Sequence, residues 1–281
     1  MLNARASRGG SRRDRAIALA ARLPKPAKRA VRRALAARWV QACMGRSAAG
    51  RRLLDSIPPP AVGCVDMGDL RRTTPIASDF GYGRGGPVDR YYIELFLAEH
   101  SADIRGRVLE FGDATYTRRL GGDRVQQSDV LYPRPGHPKA TIIANIELPG
   151  TLELAAFDCI ICTQVLMYIY DTRAALRSMR RALKPGGVLL ATFPGISQIS
   201  RHDMDTFGEY WRFTSLSAAR LFSEEFDSKR VHVAAFGNVL AATAFLHGLT
   251  VAELTEQELD HRDRDYEVTI AVRAVEDVLG V

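Results

Sequence analysis

The sequence predicts a doubly wound α/β fold, in which helices cover both faces of a largely parallel sheet. Two observations predict it. From Gly106 onward, short apolar runs typical of strands alternate with segments of helical periodicity, as crossover connections between parallel strands require. Several of the apolar runs also end in polar residues, at the edge where such sheets bind ligands. With 281 residues, 46% of them hydrophobic, the chain is long enough for one main domain with a full core.

The elements are expected in a regular order along the chain. A glycine-rich loop and then a helix are expected within Gly81–His100. The seven strand-like segments are RVLEFG, RVQQSDVLY, ATIIANIEL, the start of FDCIICTQVLMYIY, VLLATFPG, RVHVAAFGN and YEVTIAVRAV. The fourth strand is expected to run directly into a helix that continues through DTRAALRSMRRAL. Helices are expected at TYTRRLGG, DTRAALRSMRRAL, LSAARLFSEEF and VLAATAFLHGL. The turn residues Lys184–Gly187 are expected to end the second of these helices.

Basic residues are concentrated at the start of the chain. Residues 1–56 contain 15 lysines and arginines against Asp14 and Asp55, whereas the remainder contains 24 basic and 30 acidic residues. Residues 1–23 lack apolar periodicity, which predicts disorder or weak helicity, and residues 27–54 carry an apolar stripe at helical spacing. We therefore expect a basic extension over residues 1–56, partly disordered or helical, followed by one domain over residues 57–281.

The role of this extension is left open by the sequence. A solvated tail or docked helix, a tail that binds a membrane surface or another anionic partner, and a transit peptide all agree with its composition. The mildly acidic domain does not favour nucleic acid as a partner. Because the chain has no apolar run of membrane-spanning length and no secretory signal, we expect a cytoplasmic location. The oligomeric state is not indicated.

No metal site is expected. Cys159 and Cys162 form a C-x-x-C pattern, but it lies inside an apolar strand-like run. Residues three apart on a strand point to opposite faces, so these two thiols cannot readily share a metal. We expect both to be buried structural thiols.

The chemistry is expected at the ends of the first two strands. Glu110 and Asp129 follow there, 19 positions apart, and a carboxylate at the end of the second strand accepts the hydrogen bonds of ribose hydroxyls in folds of this kind. The first loop has Gly112 and Asp113 in place of the G-x-G-x-x-G that admits a pyrophosphate. This combination favours a ligand with hydroxyls and a positive charge, such as an adenosyl group with a sulfonium, over a phosphate.

The motifs resemble, in their order, those of the class I S-adenosylmethionine-dependent methyltransferases. They are EFGD at Glu110–Asp113, the strand-end Asp129, Asn145, FDCIICTQVLMYI and LKPGGVLLATFPG. The resemblance covers roughly residues 81–275, and GYGRGGPVDRYYIELFL, EYWRFT and AFGNVLAATAFL are similar to a type 11-like bacterial subgroup often associated with glycan, cell-surface or secondary-metabolite biosynthesis. It implies a Rossmann-like sheet of seven strands with the last antiparallel, and S-adenosylmethionine as cofactor.

The resemblance also implies which residues bind the cofactor. Glu110 would support the methionine amino group, directly or through water, and Gly112 would let the cofactor approach the backbone. Asp129 would hold the ribose, while Asn145 and the Ile146 backbone would meet the adenine edge. The further positions expected at the cofactor are Asp113, Val130, Thr163 and Gln164, with the helix residues Arg90, Tyr91 and Tyr92 closing over it.

The segment after the fifth strand supplies candidates for catalysis. His202 and Asp203 are adjacent there, and a histidine beside a carboxylate can act as a general base near neutral pH; alternatively, both are solvated residues of a surface loop. Tyr210 and Trp211 either stack on a sugar or aromatic acceptor or pack the loop onto the domain. The residues expected at the substrate are Tyr168, Tyr210, Trp211 and Arg212. The other five histidines show no pattern of a site.

The sequence therefore predicts a methyltransferase that modifies an oxygen or nitrogen atom of a small molecule or of a glycan or natural-product precursor. Two alternatives stay open: a noncatalytic S-adenosylmethionine-binding scaffold whose basic tail recruits a partner, and an RNA methyltransferase whose tail is an electrostatic arm. The tetrapeptide Thr163–Leu166 differs from the N/D-P-P-Y/F type associated with base methylation, which argues against the RNA alternative.

Overall fold

The computed structural model describes residues 59–277, so the helix expected within residues 27–54 lies outside the described residues. The chain divides into two compact units, Met1–Gly68 and Asp69–Val281. In the described part of the first unit, the Cys64 N–H donates to the Ala61 carbonyl at 2.9 Å and closes a turn. Every strand and every helix described below belongs to the second unit.

The second unit is built on a sheet of seven strands. Their order is β3-β2-β1-β4-β5-β7-β6, and β7 runs antiparallel to both β5 and β6 while the other neighbours are parallel. The strands are β1 (Gly106–Phe111), β2 (Val125–Tyr132), β3 (Ile142–Ile143), β4 (Phe157–Thr163), β5 (Leu183–Pro194), β6 (Val231–Phe236) and β7 (Thr269–Val275). The predicted seven-stranded, mostly parallel sheet with an antiparallel last strand is confirmed.

Six α-helices accompany the sheet within residues 59–277. They are α1 (Val88–Glu99), α2 (Thr172–Ala182), α3 (Arg201–Phe207), α4 (Ser215–Ser223), α5 (Val239–Leu246) and α6 (Glu256–Asp260). The helices α3 and α6 fall in segments where no helix was expected. The short helix expected after β1 is a π-helical turn, Thr117–Gly121. The residues Lys184–Gly187 follow the end of α2, as expected, but they already belong to β5.

The strand β4 separates two apolar layers. Its alternate residues Ile160 and Cys162 pack with α2 and α4 on one face, and Cys159 and Ile161 pack with α1 and α5 on the other. This is the arrangement that period-two alternation predicts for a strand covered on both faces. Both cysteines are fully buried, and burial raises the pKa of each thiol. They are structural thiols on opposite faces, as expected.

The amino ends of three neighbouring strands are joined by one carboxylate. Asp158 in β4 accepts hydrogen bonds from the Arg107 backbone N–H of β1 at 2.8 Å and from the Lys184 ammonium of β5 at 2.7 Å. The same carboxylate lies where a side chain on Gly106 would project, and the φ of Gly106 is 65°. Gly106 therefore combines a left-handed backbone with a close contact, and both favour glycine there.

No helix within residues 59–277 has the length and apolar character that a membrane crossing needs. No group of three or more histidine, cysteine, aspartate or glutamate side chains in the same range is placed to hold a metal ion.

Candidate active site

The larger cavity of the site, of about 390 Å³, opens where the parallel strands end. Its wall contains Phe111 at the end of β1, Gly112 directly after it, Tyr132 at the end of β2 and Thr163 at the end of β4. The carboxyl edge of an open α/β sheet is where ligands bind. The other lining residues considered below are Arg134, Asn145, Ile146, Glu147, Gln164, Tyr168, Ile169 and Phe207.

The smaller cavity, of about 100 Å³, shares two wall residues with the larger one, Gln164 and Tyr168. Most of its remaining wall comes from the segment before α1, the start of α1, the loop after β5 and the region of α3, and Phe245 of α5 also contributes. Those residues include Phe80, Tyr82, Asp89, Arg90, Ser197, Gln198, Ser200, Asp203 and Glu209. Two cavities with a common wall suit a reaction between two ligands.

The carboxylate of Glu110 holds the turn that follows β1. It accepts hydrogen bonds from the Tyr116 backbone N–H at 3.1 Å, and from the backbone N–H and the hydroxyl of Thr117, each at 2.7 Å. Burial raises the pKa of Glu110, and the hydrogen bonds from Thr117 and Tyr116 oppose that rise. Glu110 is 2% exposed and lies outside both cavity walls. Its contact with a cofactor stays a prediction.

Gly112 leaves the cavity open beside the backbone. Its φ is 83°, and a side chain built there would meet nothing within 4 Å, so a ligand can approach the main chain closely. The neighbouring Asp113 accepts a hydrogen bond from the Thr115 N–H at 2.9 Å and lies 3.8 Å from the Lys139 ammonium. Burial acts to raise the pKa of Asp113, but the hydrogen bonds from Thr115 and the charges of Lys139 and Arg118 together lower the pKa. Asp113 is in neither cavity wall.

The structure corrects the expected position of Asp129. This residue lies inside β2, three residues before the strand ends at Tyr132, and it is not part of the cavity wall. Its Oδ2 accepts from the Arg107 Nε at 2.8 Å and from the Gln127 Nε2 at 3.0 Å, and its Oδ1 accepts from the Thr141 hydroxyl at 3.0 Å. The carboxylate therefore neutralises a neighbouring arginine below the cavity. The adjacent Val130 is buried and likewise lies outside the wall.

Aromatic side chains occupy the end of β2 in place of an acid. The ring of Tyr132 stacks on His137 with centroids 4.3 Å apart and an interplanar angle of 18°, and it meets the edge of Phe207 at 6.1 Å. The guanidinium of Arg134 lies over the Phe207 ring at 5.5 Å. Sequence reasoning missed Tyr132 and His137, although the run Val130–Tyr132 already indicated that the strand continues past Asp129.

Asn145 and Ile146 lie in the wall of the larger cavity, on the loop after β3. The Oδ1 of Asn145 accepts from the Glu147 N–H at 3.0 Å and so fixes the turn. The exposed Asn145 keeps its amide donors available for a ligand, while Ile146 is buried and presents an apolar surface. The structure brings both residues to the cavity that also contains Gly112.

Gln164 connects the two cavities and has an unusual backbone. Its φ is 54°, in the left-handed region that residues other than glycine rarely adopt, and its N–H donates to the Thr192 carbonyl at 2.8 Å. Phe80, in the wall of the smaller cavity, has a φ of 60°. Strained backbone of this kind is concentrated at functional sites. Thr163 precedes Gln164 in the wall of the larger cavity.

Two buried polar atoms at the smaller cavity lack partners within residues 59–277. They are the Oδ1 of Asp89 and the Nε2 of Gln164. Burial raises the pKa of Asp89, while the neighbouring Arg90 lowers it. Arg90 is itself fixed by the hydroxyls of Tyr82 and Tyr116, each at 3.0 Å. Because buried polar groups are normally hydrogen-bonded, this pair of atoms is suited to a ligand that offers both a donor and an acceptor.

The structure separates the predicted pair His202 and Asp203. His202 is exposed on the first turn of α3 and lies in neither wall, whereas Asp203 lines the smaller cavity. Adjacent residues of a helix point in different directions, so the two side chains cannot act together here. The Oδ2 of Asp203 instead accepts from the Tyr168 hydroxyl at 3.1 Å and from the Ser200 hydroxyl at 2.5 Å. Burial raises the pKa of Tyr168, and Asp203 raises it further.

Tyr210 and Trp211 pack against the preceding loop rather than line a cavity. The indole of Trp211 stacks on Tyr170 at 5.8 Å and donates to the Ile169 carbonyl at 3.0 Å, and Tyr210 meets the edge of Tyr170 at 5.3 Å. The guanidinium of Arg212 is 2.5 Å from the Glu209 carboxylate. These contacts agree with the loop-packing interpretation, and contact of these residues with the substrate stays a prediction.

Comparisons with known proteins found a family match and several similar solved structures. Residues 79–191 match a family model described as a methyltransferase domain. The N-methyltransferase NodS from Bradyrhizobium japonicum WM9 is 16% identical, with a TM-score of 0.43 and coverage of 72% of this chain and 94% of that chain. A methyltransferase from Mesorhizobium loti is 15% identical (TM-score 0.44; 68% and 99% covered), and the cyclase SpnF is 17% identical (TM-score 0.42; 70% and 84% covered). A comparison with curated proteins found no match.

The match over residues 79–191 and the seven-stranded sheet are consistent with a class I S-adenosylmethionine-dependent methyltransferase. The family match supports an enzyme with S-adenosylmethionine as cofactor. The residues present fit this cofactor, because the open space beside Gly112 admits a nucleoside next to the backbone and the unpartnered atoms of Asp89 and Gln164 can meet a charged amino acid. The likeness to these solved structures does not bear on the acceptor.

Proposed function

We propose that this enzyme transfers a methyl group from S-adenosylmethionine to an oxygen or nitrogen atom of a small molecule or of a glycan or natural-product precursor. The observation that carries the proposal is the pair of cavities joined by Gln164 and Tyr168, with the Asp203 carboxylate in the wall of the smaller one. The larger cavity would take the adenosyl group, and the smaller one the amino acid end of the cofactor beside the reacting part of the acceptor.

The cofactor would be held by groups from four segments. The backbone at Gly112 would lie beside the nucleoside, Asn145 and Ile146 would meet the adenine, and Asp89 and Gln164 would bind the amino acid end. When bound, S-adenosylmethionine supplies a methyl group on a positively charged sulfur. The rings of Tyr168 and Phe207 in the same wall favour a cation by their electron-rich faces.

Asp203 would accept the proton that a hydroxyl or amine acceptor loses. Tyr168 stays protonated because its pKa is raised, so its hydroxyl donates to Asp203 and orients the carboxylate. The other acid in this wall, Glu209, is already bound by Arg212 and by the Ser200 N–H at 2.8 Å. Methyl transfer depends mainly on positioning, and a carboxylate at the acceptor cavity supports an acceptor that must be deprotonated.

The test is methyl transfer by the full-length chain from radiolabelled S-adenosylmethionine into fractionated cell extract. We expect label in the small-molecule or glycan fraction. In Asp203→Asn we expect kcat to fall by about 10²–10⁴, the usual contribution of a general base, with little change in the Kd for S-adenosylhomocysteine. Asp205→Asn is the matched control, because Asp205 is exposed on the same helix and lines neither cavity.

Two results would contradict this proposal. Full activity of Asp203→Asn would remove the carboxylate from the chemistry. Label confined to RNA would replace the small-molecule acceptor with the RNA alternative, and turnover should then weaken steeply with salt.

The location and the partners also belong to this proposal. The three described cysteines, Cys64, Cys159 and Cys162, are free thiols, which supports a reducing compartment such as the cytoplasm. An anionic partner or membrane surface at the basic extension is proposed from its charge alone.

A further inference from the structure

The acid of β2 is committed to a contact below the cavity. The carboxylate of Asp129 is bonded by Arg107, Gln127 and Thr141 and is 6% exposed. The guanidinium of Arg107 is fixed in turn, since it also bonds Glu153 at 2.7 Å and lies over an aromatic ring at 4.7 Å. Turning Asp129 toward a ligand would leave a half-buried arginine without its closest partner, which is costly.

The strand register places Asp129 too low to reach the cavity floor. Leu109 pairs with Asp129, and Phe111 pairs with Leu131. Gly112, which lines the cavity, is three residues beyond Leu109, or about 10 Å along the strand direction. The residue of β2 that reaches this height is Tyr132, and it lies in the same wall as Gly112.

Tyr132 has a free hydroxyl on a fixed ring. The stack on His137 and the edge contact with Phe207 hold the ring, while its hydroxyl has no hydrogen-bond partner among residues 59–277. A phenol hydroxyl both donates and accepts, as a pair of sugar hydroxyls requires. Arg134 adds a second donor in the same wall.

From this arrangement we propose that the cofactor ribose is bound by the Tyr132 hydroxyl, with the ring positioned by His137, and not by the Asp129 carboxylate. The inference rests on the proposed placement of the adenosyl group in the larger cavity. It assigns the ribose contact to a neutral side chain at the strand end where an acid was expected.

The test measures binding of S-adenosylhomocysteine to the full-length chain by isothermal titration calorimetry. We expect Tyr132→Phe to raise the Kd about tenfold. We also measure S-adenosylhomocysteine analogues that lack the 2′- or the 3′-hydroxyl. With at least one analogue, we expect the Kd values of wild type and Tyr132→Phe to differ less than about twofold. The reason is that the Tyr132 hydroxyl has no ligand hydroxyl to bind once that group is missing, so its removal costs no further affinity. Tyr266→Phe is the matched control, since Tyr266 is outside both cavity walls.

Two further variants separate this inference from its alternative. We expect Asp129→Asn to keep the Kd within about twofold while it lowers the thermal unfolding midpoint. We expect His137→Ala to weaken binding by less than Tyr132→Phe, because it releases the ring but keeps the hydroxyl.

Unchanged affinity of folded Tyr132→Phe would overturn the inference, and so would a tenfold loss in a folded Asp129→Asn. If wild type binds no S-adenosylhomocysteine, the proposed placement of the cofactor fails as well. Binding by wild type with an insensitive Tyr132 overturns the ribose assignment alone.

Discussion

At the scale of one residue, Glu110 stabilises the turn after β1, although it lies next to the expected cofactor loop. Three donors from Tyr116 and Thr117 meet its carboxylate. We expect Glu110→Ala to lower the free energy of unfolding by about 1–3 kcal/mol, the cost of leaving buried donors unsatisfied. Urea denaturation measures this. Glu94→Ala, which removes one exposed ion pair with Arg119, should change stability by less than about 1 kcal/mol. Equal losses in the two variants would contradict this role.

At the same scale, the residue type indicated which residues belong to the site better than it indicated where their side chains point. The sequence placed Gly112, Asn145, Gln164 and Tyr168 near the ligand, and all four line the larger cavity. The expected position of Asp129 at the end of β2 was wrong, because the predicted strand continues to Tyr132 and its last two residues pair with β3.

The pairing of His202 with Asp203 failed for a similar reason. A loop was expected there, but a hydrogen bond from the Asp203 N–H to the Ser200 hydroxyl caps a helix. The helix then turns the two side chains apart.

At the scale of elements, Asp158 ties the amino ends of β1, β4 and β5. Burial acts to raise the pKa of Asp158, but the hydrogen bonds from Lys184 and Arg107 outweigh it, so the pKa is lowered. A lowered pKa means that the ionised carboxylate stabilises the fold above its unfolded pKa of about 3.9. That contribution is lost as the pH falls through the folded pKa.

We therefore expect Asp158→Asn to be less stable than wild type near pH 7, and the difference to shrink as the pH falls below about 4. Urea midpoints at a series of pH values measure this. Asp123→Asn, at an exposed position, should follow the wild-type profile. A constant difference at every pH would show that the ion pair with Lys184 does not supply the stability.

Strands and helices were predicted correctly where the apolar residues formed a long or regularly spaced pattern. All seven strands were found because each lies in a short apolar run, and the runs in β4, β5 and β7 are largely buried. The helices α3 and α6 were missed because they have seven and five residues, too few for a periodic signal. β3 has only two residues, although a longer apolar run predicted it.

At the scale of the whole molecule, the basic residues and the candidate active site lie in different parts of the sequence. The basic excess lies in residues 1–56, and the first described residue in either cavity wall is Phe80. We expect a chain lacking residues 1–56 to bind S-adenosylhomocysteine with a Kd within about threefold of the full chain. Calorimetry measures the affinity, and circular dichroism confirms folding. Loss of binding by a folded truncation would make the extension part of the site.

The overall architecture could be predicted because alternating strands and helices permit few topologies. The acceptor could not, because the smaller cavity is assembled from Phe80, Asp89, Gln164, Asp203 and Phe245, which lie on separate segments. Its shape depends on how those segments pack, and no local pattern in the sequence records that.

The proposed reaction requires the cofactor in the larger cavity, with the acceptor beyond Gln164 and Tyr168. A crystal structure of the full-length chain with S-adenosylhomocysteine tests this placement. We expect the adenosyl group between Gly112 and Asn145, with a ribose hydroxyl in hydrogen-bond contact with Tyr132. A ligand bound elsewhere, or a ribose held by Asp129, would contradict it.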